Sequence, residues 1–339
     1  MDSRVFICSD SVQWQLLDAL EAKLLSDGVD VVRGPSDAEG RRTYSSEDLA
    51  LLSNVDVAVM TIRHDCNRDL LASSPRLRGL CFPTTGVESV DIVAANELNI
   101  AIAHGATQGN VIGIAEATIM LALNLLYDLR DSEWRMREGL KKPHYPKATA
   151  LFGKTVGFVG FGRIAQAMAS RLYAFGTTML TYSPRLNPDR LTFGVKAVDL
   201  DTLMRESDVV FVLVSITPQS TQLIGRHELS LMKPSAFLVN TARGEAIDEA
   251  ALEEVLENKR IAGAALDTFA SEPLSRDSPL LAFDNVILTP HMVGQTKDAR
   301  EEFLPAMHEN VIRMLRGQVP RYLKNTEVSA AWLEKWNKC

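Results

Sequence analysis

A chain of 339 residues is long enough for two domains, each with its own apolar core. With 46% hydrophobic and 23% charged residues it has the composition of an ordinary soluble globular protein. Its net charge of -7 argues against a sequence-independent grip on nucleic acid or an anionic membrane, so an anionic ligand must be held by a few well-placed groups.

The N-terminal "MDSRVFICSD" carries Arg4 and only a short apolar run, which makes a poor signal peptide. Cys8, Cys66, Cys81 and Cys339 fall in no metal-ligand spacing. The expectation is a cytoplasmic protein in a reducing compartment, with no disulfide framework and no metal. "VFICS", "VDVV", "VDVAVMT" and "LRGLCF" are short β-branched runs, separated by amphipathic stretches such as "SVQWQLLDALEAKLLSDG". A long helical pattern follows from about Asn110 to Glu138. Its apolar part, "VIGIAEATIMLALNLLY", contains Glu116 and Asn124 and is expected to fall short of a membrane span. The polar, proline-bearing "GLKKPHYPKATALFG" reads as a linker or surface loop.

From residue 155 the alternation begins again with "TVGFVG", "TMLTYS", "VVFVLVS", "AFLVNT", "IAGAALD" and "VILTP", with helical segments such as "IDEAALEEVLENK" between them. Short buried strands alternating with helices imply parallel sheets covered on both faces, an α/β fold. The last helical segment, "TKDAREEFLPAMHENVIRMLRG", is expected to cross back to the first series.

The second series opens with "VGFVGFGRIAQAMA", in which Gly160 and Gly162 are followed by Ala165 where a third glycine is common. A strand precedes the turn and a helix with Ile164, Met168 and Leu172 on one face follows it, which is the setting a dinucleotide-binding fingerprint requires. The first glycine makes the tight turn. The second lets the backbone approach a pyrophosphate, and the third position needs only a small side chain. The helix N-terminus, opened by Arg163 and Ile164, offers N–H groups to phosphates. About 20 residues further on, where an acidic side chain would bind a bare ribose diol, stand Ser183 and Arg185. A hydroxyl and a guanidinium suit a 2′-phosphate better, so NADP(H) is expected over NAD(H).

Three charged or titratable residues then follow strands, where open α/β sheets place ligands: Arg243 in "LVNTARG", Glu272 in "LDTFASEPL" and His291 in "VILTPHMVG". Taken singly, the first two also read as surface pairs and the third as an ordinary loop histidine.

Taken together with the other blocks, these motifs give the chain a clear resemblance to the D-isomer-specific 2-hydroxyacid dehydrogenases, the group that includes glyoxylate/hydroxypyruvate reductases. The matching blocks are "GKTVGFVGFGRIAQAMA", "LVSITPQSTQLIG", "LMKPSAFLVNTARGEAIDEAAL", "GAALDTFASEPL" and "NVILTPHMVG", with looser matches in "PRLRGLCFPTTGVESVDI" and "NVIGIAEATIMLAL". The resemblance implies two doubly wound parallel-sheet domains, a Rossmann cofactor domain over 106–294 and a flavodoxin-like substrate domain over 1–105 and 295–339, with a cleft between them. It also implies a small 2-keto or 2-hydroxy acid as partner and a homodimer built through the cofactor domain.

The resemblance also assigns roles. His291 would carry the proton that joins or leaves the C2 oxygen, as an imidazole suits near neutral pH. Glu272 would orient the ring and favour its charged form, and Arg243 would bind the substrate carboxylate. Backbone N–H groups of Thr85, Gly86 and Val87 would hold the same carboxylate. Asp267 matches a position that contacts the nicotinamide carboxamide. Thr217, Pro218, Thr241 and Ala242 match cofactor-lining loops, and His291 and Gly294 lie in the last of them. "PTTGVES" departs from a more usual small-residue loop at the substrate pocket. Glutamate at position 272 argues against a formate dehydrogenase, which carries glutamine there. A reductase of larger or aromatic 2-keto acids and a dinucleotide-sensing co-repressor-like scaffold remain as alternatives.

Overall fold

The computed structural model describes residues 3–35, 42–184, 186, 189 and 191–337. It divides into two compact units, one formed by Met1–Asn110 with Lys297–Cys339 and the other by Val111–Thr296.

The first unit holds five strands: β1 (Arg4–Ile7), β2 (Asp30–Arg33), β3 (Val57–Val59), β4 (Gly79–Cys81) and β5 (Ala101–Ala103). They pair in parallel in the order β2-β1-β3-β4-β5. Helix Trp14–Ser26 buries Leu17, Leu20 and Leu24, a stripe at helical spacing that closes one face. Helix Lys297–Leu315 returns to this unit and contributes Met307, Val311 and Met314 to the same core. The helix Ser329–Trp336 adds Trp332, whose Nε1 donates to the Arg78 carbonyl at 2.6 Å.

The second unit holds β6 (Thr155–Val159), β7 (Thr178–Tyr182), β8 (Lys196–Ala197), β9 (Val209–Val212), β10 (Phe237–Asn240), β11 (Gly263–Leu266) and β12 (Val286–Leu288). Their order is β12-β11-β10-β9-β6-β7-β8, again all parallel. The chain starts in the middle of the sheet and winds out both ways, so the connections leaving β6 and β9 part at a switch point. Alternate side chains enter different cores. Val210, Val212, Leu238 and Leu266 pack on one face, and Phe158, Phe211, Val239 and Ala265 on the other. That division explains why these strands read as continuous apolar runs.

Three local features differ from the expected pattern. β5 and β8 are too short to show a period in "AIA" and "KA", and their neighbours in the sheets define them. The long helical pattern is two helices, Gln108–Tyr127 and Leu129–Arg137, broken at Asp128, whose φ of 48° is left-handed. Asp tolerates that region better than most residues. The apolar segment expected to fall short of a span lies in a 20-residue helix with a mean hydropathy of 1.6, which by length and composition alone would cross a membrane. Residues Gln108, Gly109 and Asn110 precede the apolar run and supply the added length. Half of that window is buried, with Ala115, Ile119, Leu121 and Ala122 packed into one core of the second unit.

Candidate active site

The turn after β6 separates two kinds of glycine. Gly160 has φ 98°, and a Cβ there would come within 2.9 Å of the Leu213 carbonyl oxygen. Backbone and packing both demand glycine, and its N–H donates to the Tyr182 carbonyl at 2.7 Å. Gly162 is different. Its φ is -78° and an added Cβ would meet nothing within 4 Å. Among the described residues nothing requires glycine there, so the bare surface suits something that approaches from outside. Gly162 is the N-cap of the helix Arg163–Leu172 and brings no side chain to its first turn, and the N-terminus of a helix favours an anion. Arg163 is exposed, Ile164 half-buried, and Ala165 fully buried against the sheet. These residues fit the pyrophosphate of a dinucleotide.

Around this turn lie the other loops at the carboxyl ends of the strands. Ser183 follows β7 and is half-buried; Arg185 lies outside the described residues. Thr217 is held in a tight turn, its N–H donating to Ser220 Oγ at 2.7 Å, with exposed Pro218 beside it. Thr241 Oγ1 lies 2.7 Å from Thr118 Oγ1 on the long apolar helix. Gly294 packs against Ile114, where a Cβ would come within 2.4 Å of Cγ1.

The titratable side chains sit on the loops after β10, β11 and β12. His291 Nδ1 lies 2.7 Å from Glu272 Oε2. The other carboxylate oxygen, Oε1, accepts the Phe269 N–H at 3.1 Å. Burial pushes the Glu272 carboxyl up. The hydrogen bonds from His291 and Phe269, with the charges of His291 and Arg243, outweigh it and hold the group below the usual carboxylate range. The Arg243 guanidinium makes the smallest of these contributions, and its Nη1 donates to the Ala242 carbonyl at 2.7 Å.

His291 occupies a left-handed conformation with φ 51°, and Asp267 holds it there. The Asp267 carbonyl accepts the His291 N–H at 2.8 Å. Its buried Oδ1 accepts the Thr289 hydroxyl at 2.7 Å and the N–H groups of Met292 and Val293 at 3.0 and 3.2 Å. One carboxylate oxygen that accepts three donors is a strong local anchor. Sequence reasoning passed over Thr289, Phe269 and Asn240, whose roles depend on which backbone groups lie nearby.

The loop Thr85–Val87 belongs to the first unit. Gly86 and Val87 are buried there, and Thr85 Oγ1 donates to Asn110 Oδ1 at 2.8 Å. Gly105 supports it from beneath: its N–H donates to the Thr84 carbonyl at 2.8 Å, and a Cβ would meet the Pro83 carbonyl oxygen at 1.8 Å. Among the described residues, no group of three His, Cys, Asp or Glu side chains is placed to hold a metal ion.

Residues 119–293 match the family model for the NAD binding domain of D-isomer specific 2-hydroxyacid dehydrogenases. The glyoxylate reductase of Thermococcus litoralis is 34% identical over 83% of this chain and 86% of its own length. The D-3-phosphoglycerate dehydrogenase of Methanocaldococcus jannaschii is 32% identical over 89% of this chain, which spans 58% of that longer protein. Among solved structures, a glyoxylate reductase from Paecilomyes thermophila superposes with a TM-score of 0.81 at 25% identity, over 94% of this chain and 97% of the other.

Proposed function

The chain belongs to the D-isomer-specific 2-hydroxyacid dehydrogenase family, NAD(P)-dependent oxidoreductases acting on CH–OH groups, and from that premise we propose that it reduces a small 2-keto acid such as glyoxylate or hydroxypyruvate. The observation that carries the reading is the 2.7 Å contact between His291 and Glu272 beside Arg243. A nicotinamide held in this unit would supply the hydride chemistry at C2 of the keto acid. With Nδ1–H donated to Glu272, Nε2 of His291 is left to give its proton to the C2 oxygen. Glu272 then stays ionised, fixes the ring and balances the imidazolium charge. Arg243 binds the carboxylate, and its charge draws electron density from the C2 carbonyl. Thr85, Gly86 and Val87 are proposed as further substrate contacts through backbone N–H groups.

For the cofactor, the proposed contacts are Gly160, Gly162, Arg163 and Ile164 at the pyrophosphate turn, with Thr217, Pro218, Thr241, Ala242, Asp267, His291 and Gly294 lining the remainder. A preference for NADP(H) is proposed from Ser183 and Arg185, which together offer a hydroxyl and a cation to a 2′-phosphate. Exposed Tyr127, Trp134, Met136 and Phe152 in the second unit support a homodimer through that unit, which light scattering would detect.

The test is a panel of glyoxylate, hydroxypyruvate, a phosphorylated 2-keto acid and aromatic 2-keto acids, each with NADH and NADPH. Highest kcat/KM on glyoxylate or hydroxypyruvate is expected. Higher kcat/KM on the aromatic acids overturns the substrate, and no turnover on any member leaves a dinucleotide-sensing scaffold as the better reading.

A further inference from the structure

Asn240 is the last residue of β10 and is 1% exposed. A buried primary amide must satisfy both a donor and an acceptor, and this one does so within three residues of itself. Its Nδ2 donates to the Arg243 carbonyl at 2.9 Å, and its Oδ1 accepts the Ala242 N–H at 3.0 Å. Because an N–H can only donate and a carbonyl can only accept, the orientation of the amide is fixed by these partners.

The two bonds fall on alternate peptide planes. One holds the plane between Thr241 and Ala242, the other the plane between Arg243 and Gly244. The plane between them carries the Ala242 carbonyl, and that oxygen accepts Arg243 Nη1 at 2.7 Å. Asn240 therefore clamps both neighbours of the peptide on which the guanidinium rests. Its own backbone carbonyl accepts the Asp267 N–H at 3.0 Å, which ties the clamp to the sheet. The far side of the loop is braced as well. A Cβ on Gly244 would lie 1.9 Å from the Phe269 carbonyl carbon, so the loop rests directly on backbone whose N–H holds Glu272.

We propose that Asn240 is a positioning residue for Arg243, setting the guanidinium for the substrate carboxylate by clamping the two peptides that flank the Ala242 carbonyl. The proposal rests on the reading of Arg243 as the carboxylate ligand. Aspartate at this position would replace the donor with a second acceptor facing the Arg243 carbonyl, and a longer glutamine would displace the loop. Only asparagine offers both groups at this reach.

The experiment compares wild type, Asn240→Ala, Arg243→Ala and the double variant, with glyoxylate as substrate and oxamate as a carboxylate-bearing inhibitor. Asn240→Ala is expected to raise the glyoxylate KM and the oxamate inhibition constant together by about 10-fold, the scale of a lost orienting hydrogen-bond pair. NADPH affinity, read by fluorescence, should fall by less than oxamate affinity, because the clamp reaches the cofactor-lining side of the loop only through the Ala242 N–H. In the double variant, the glyoxylate kcat/KM should equal that of Arg243→Ala, since the clamp has no further target. Multiplicative losses in the double variant, or an unchanged glyoxylate KM in Asn240→Ala, overturn the proposal while leaving the role of Arg243 intact. An unchanged KM in Arg243→Ala overturns the carboxylate assignment itself. Should Asn240→Ala fail to fold, hydrogen exchange at the Ala242 amide of wild type decides: protection supports the clamp, and exchange as fast as an open loop amide overturns it.

Discussion

His291 Nδ1 and Glu272 Oε2 stand 2.7 Å apart on loops that follow two different strands, β12 and β11. They are separated by 19 positions in the chain, and the contact exists because those strands are adjacent and parallel. A carboxylate on one ring nitrogen leaves the other to exchange a proton. Removing the imidazole in His291→Ala should cut kcat for glyoxylate reduction by about 10²–10⁴-fold, the range for a general acid. NADPH binding should survive. Near-wild-type turnover in steady-state assays would take His291 out of the reaction.

Glu272 also makes acid stability depend on this pair. Its carboxyl is held below the usual carboxylate range in the folded protein, so its stabilisation is complete above the unfolded value of about 4.3 and disappears as pH falls through the lowered folded value. Urea midpoints of wild type should exceed those of Glu272→Gln at pH 6, and the two should converge toward pH 3. A difference that stays constant across that window contradicts the assignment.

The two glycines of the cofactor turn should respond differently to alanine. Gly160→Ala meets both a φ of 98° and the Leu213 carbonyl, and should lose about 1–3 kcal/mol of stability. Gly162→Ala has room for its methyl and an ordinary φ, so its melting temperature should stay at the wild-type value. Its NADPH affinity should fall, because the methyl occupies the surface a pyrophosphate would approach. Loss of stability without loss of affinity in Gly162→Ala would place the cofactor elsewhere.

Arg185→Ala should raise the KM for NADPH and leave that for NADH nearly unchanged, since only the former carries a 2′-phosphate. A wild-type preference for NADH that persists in the variant would remove Ser183 and Arg185 from cofactor recognition.

Much of the fold was legible because its signals are local. Continuous apolar runs marked β6, β9 and β10, and the strand–turn–helix around Gly160 could be read from a dozen consecutive residues. Arg243, Glu272 and His291 stood out as candidates for a similar reason, each following a recognisable strand. β5 was not legible, since three residues carry no period and its place depends on pairing with β4. The break at Asp128 was hidden inside a pattern that stays helical on both sides.

What the sequence by itself determined is therefore the class of fold, the glycine turn after β6 and the residue types at the ends of the strands. These follow from periodicity, steric demands and chemical type, which are properties of short segments. The tertiary structure alone decided which of those residues meet. It joined His291 to Glu272, wrapped the loop after β12 around Asp267, and turned the Asn240 amide back onto the Arg243 loop. Such contacts depend on strand order and on where backbone N–H and carbonyl groups come to lie, and in a parallel sheet those partners are brought together by long crossover connections.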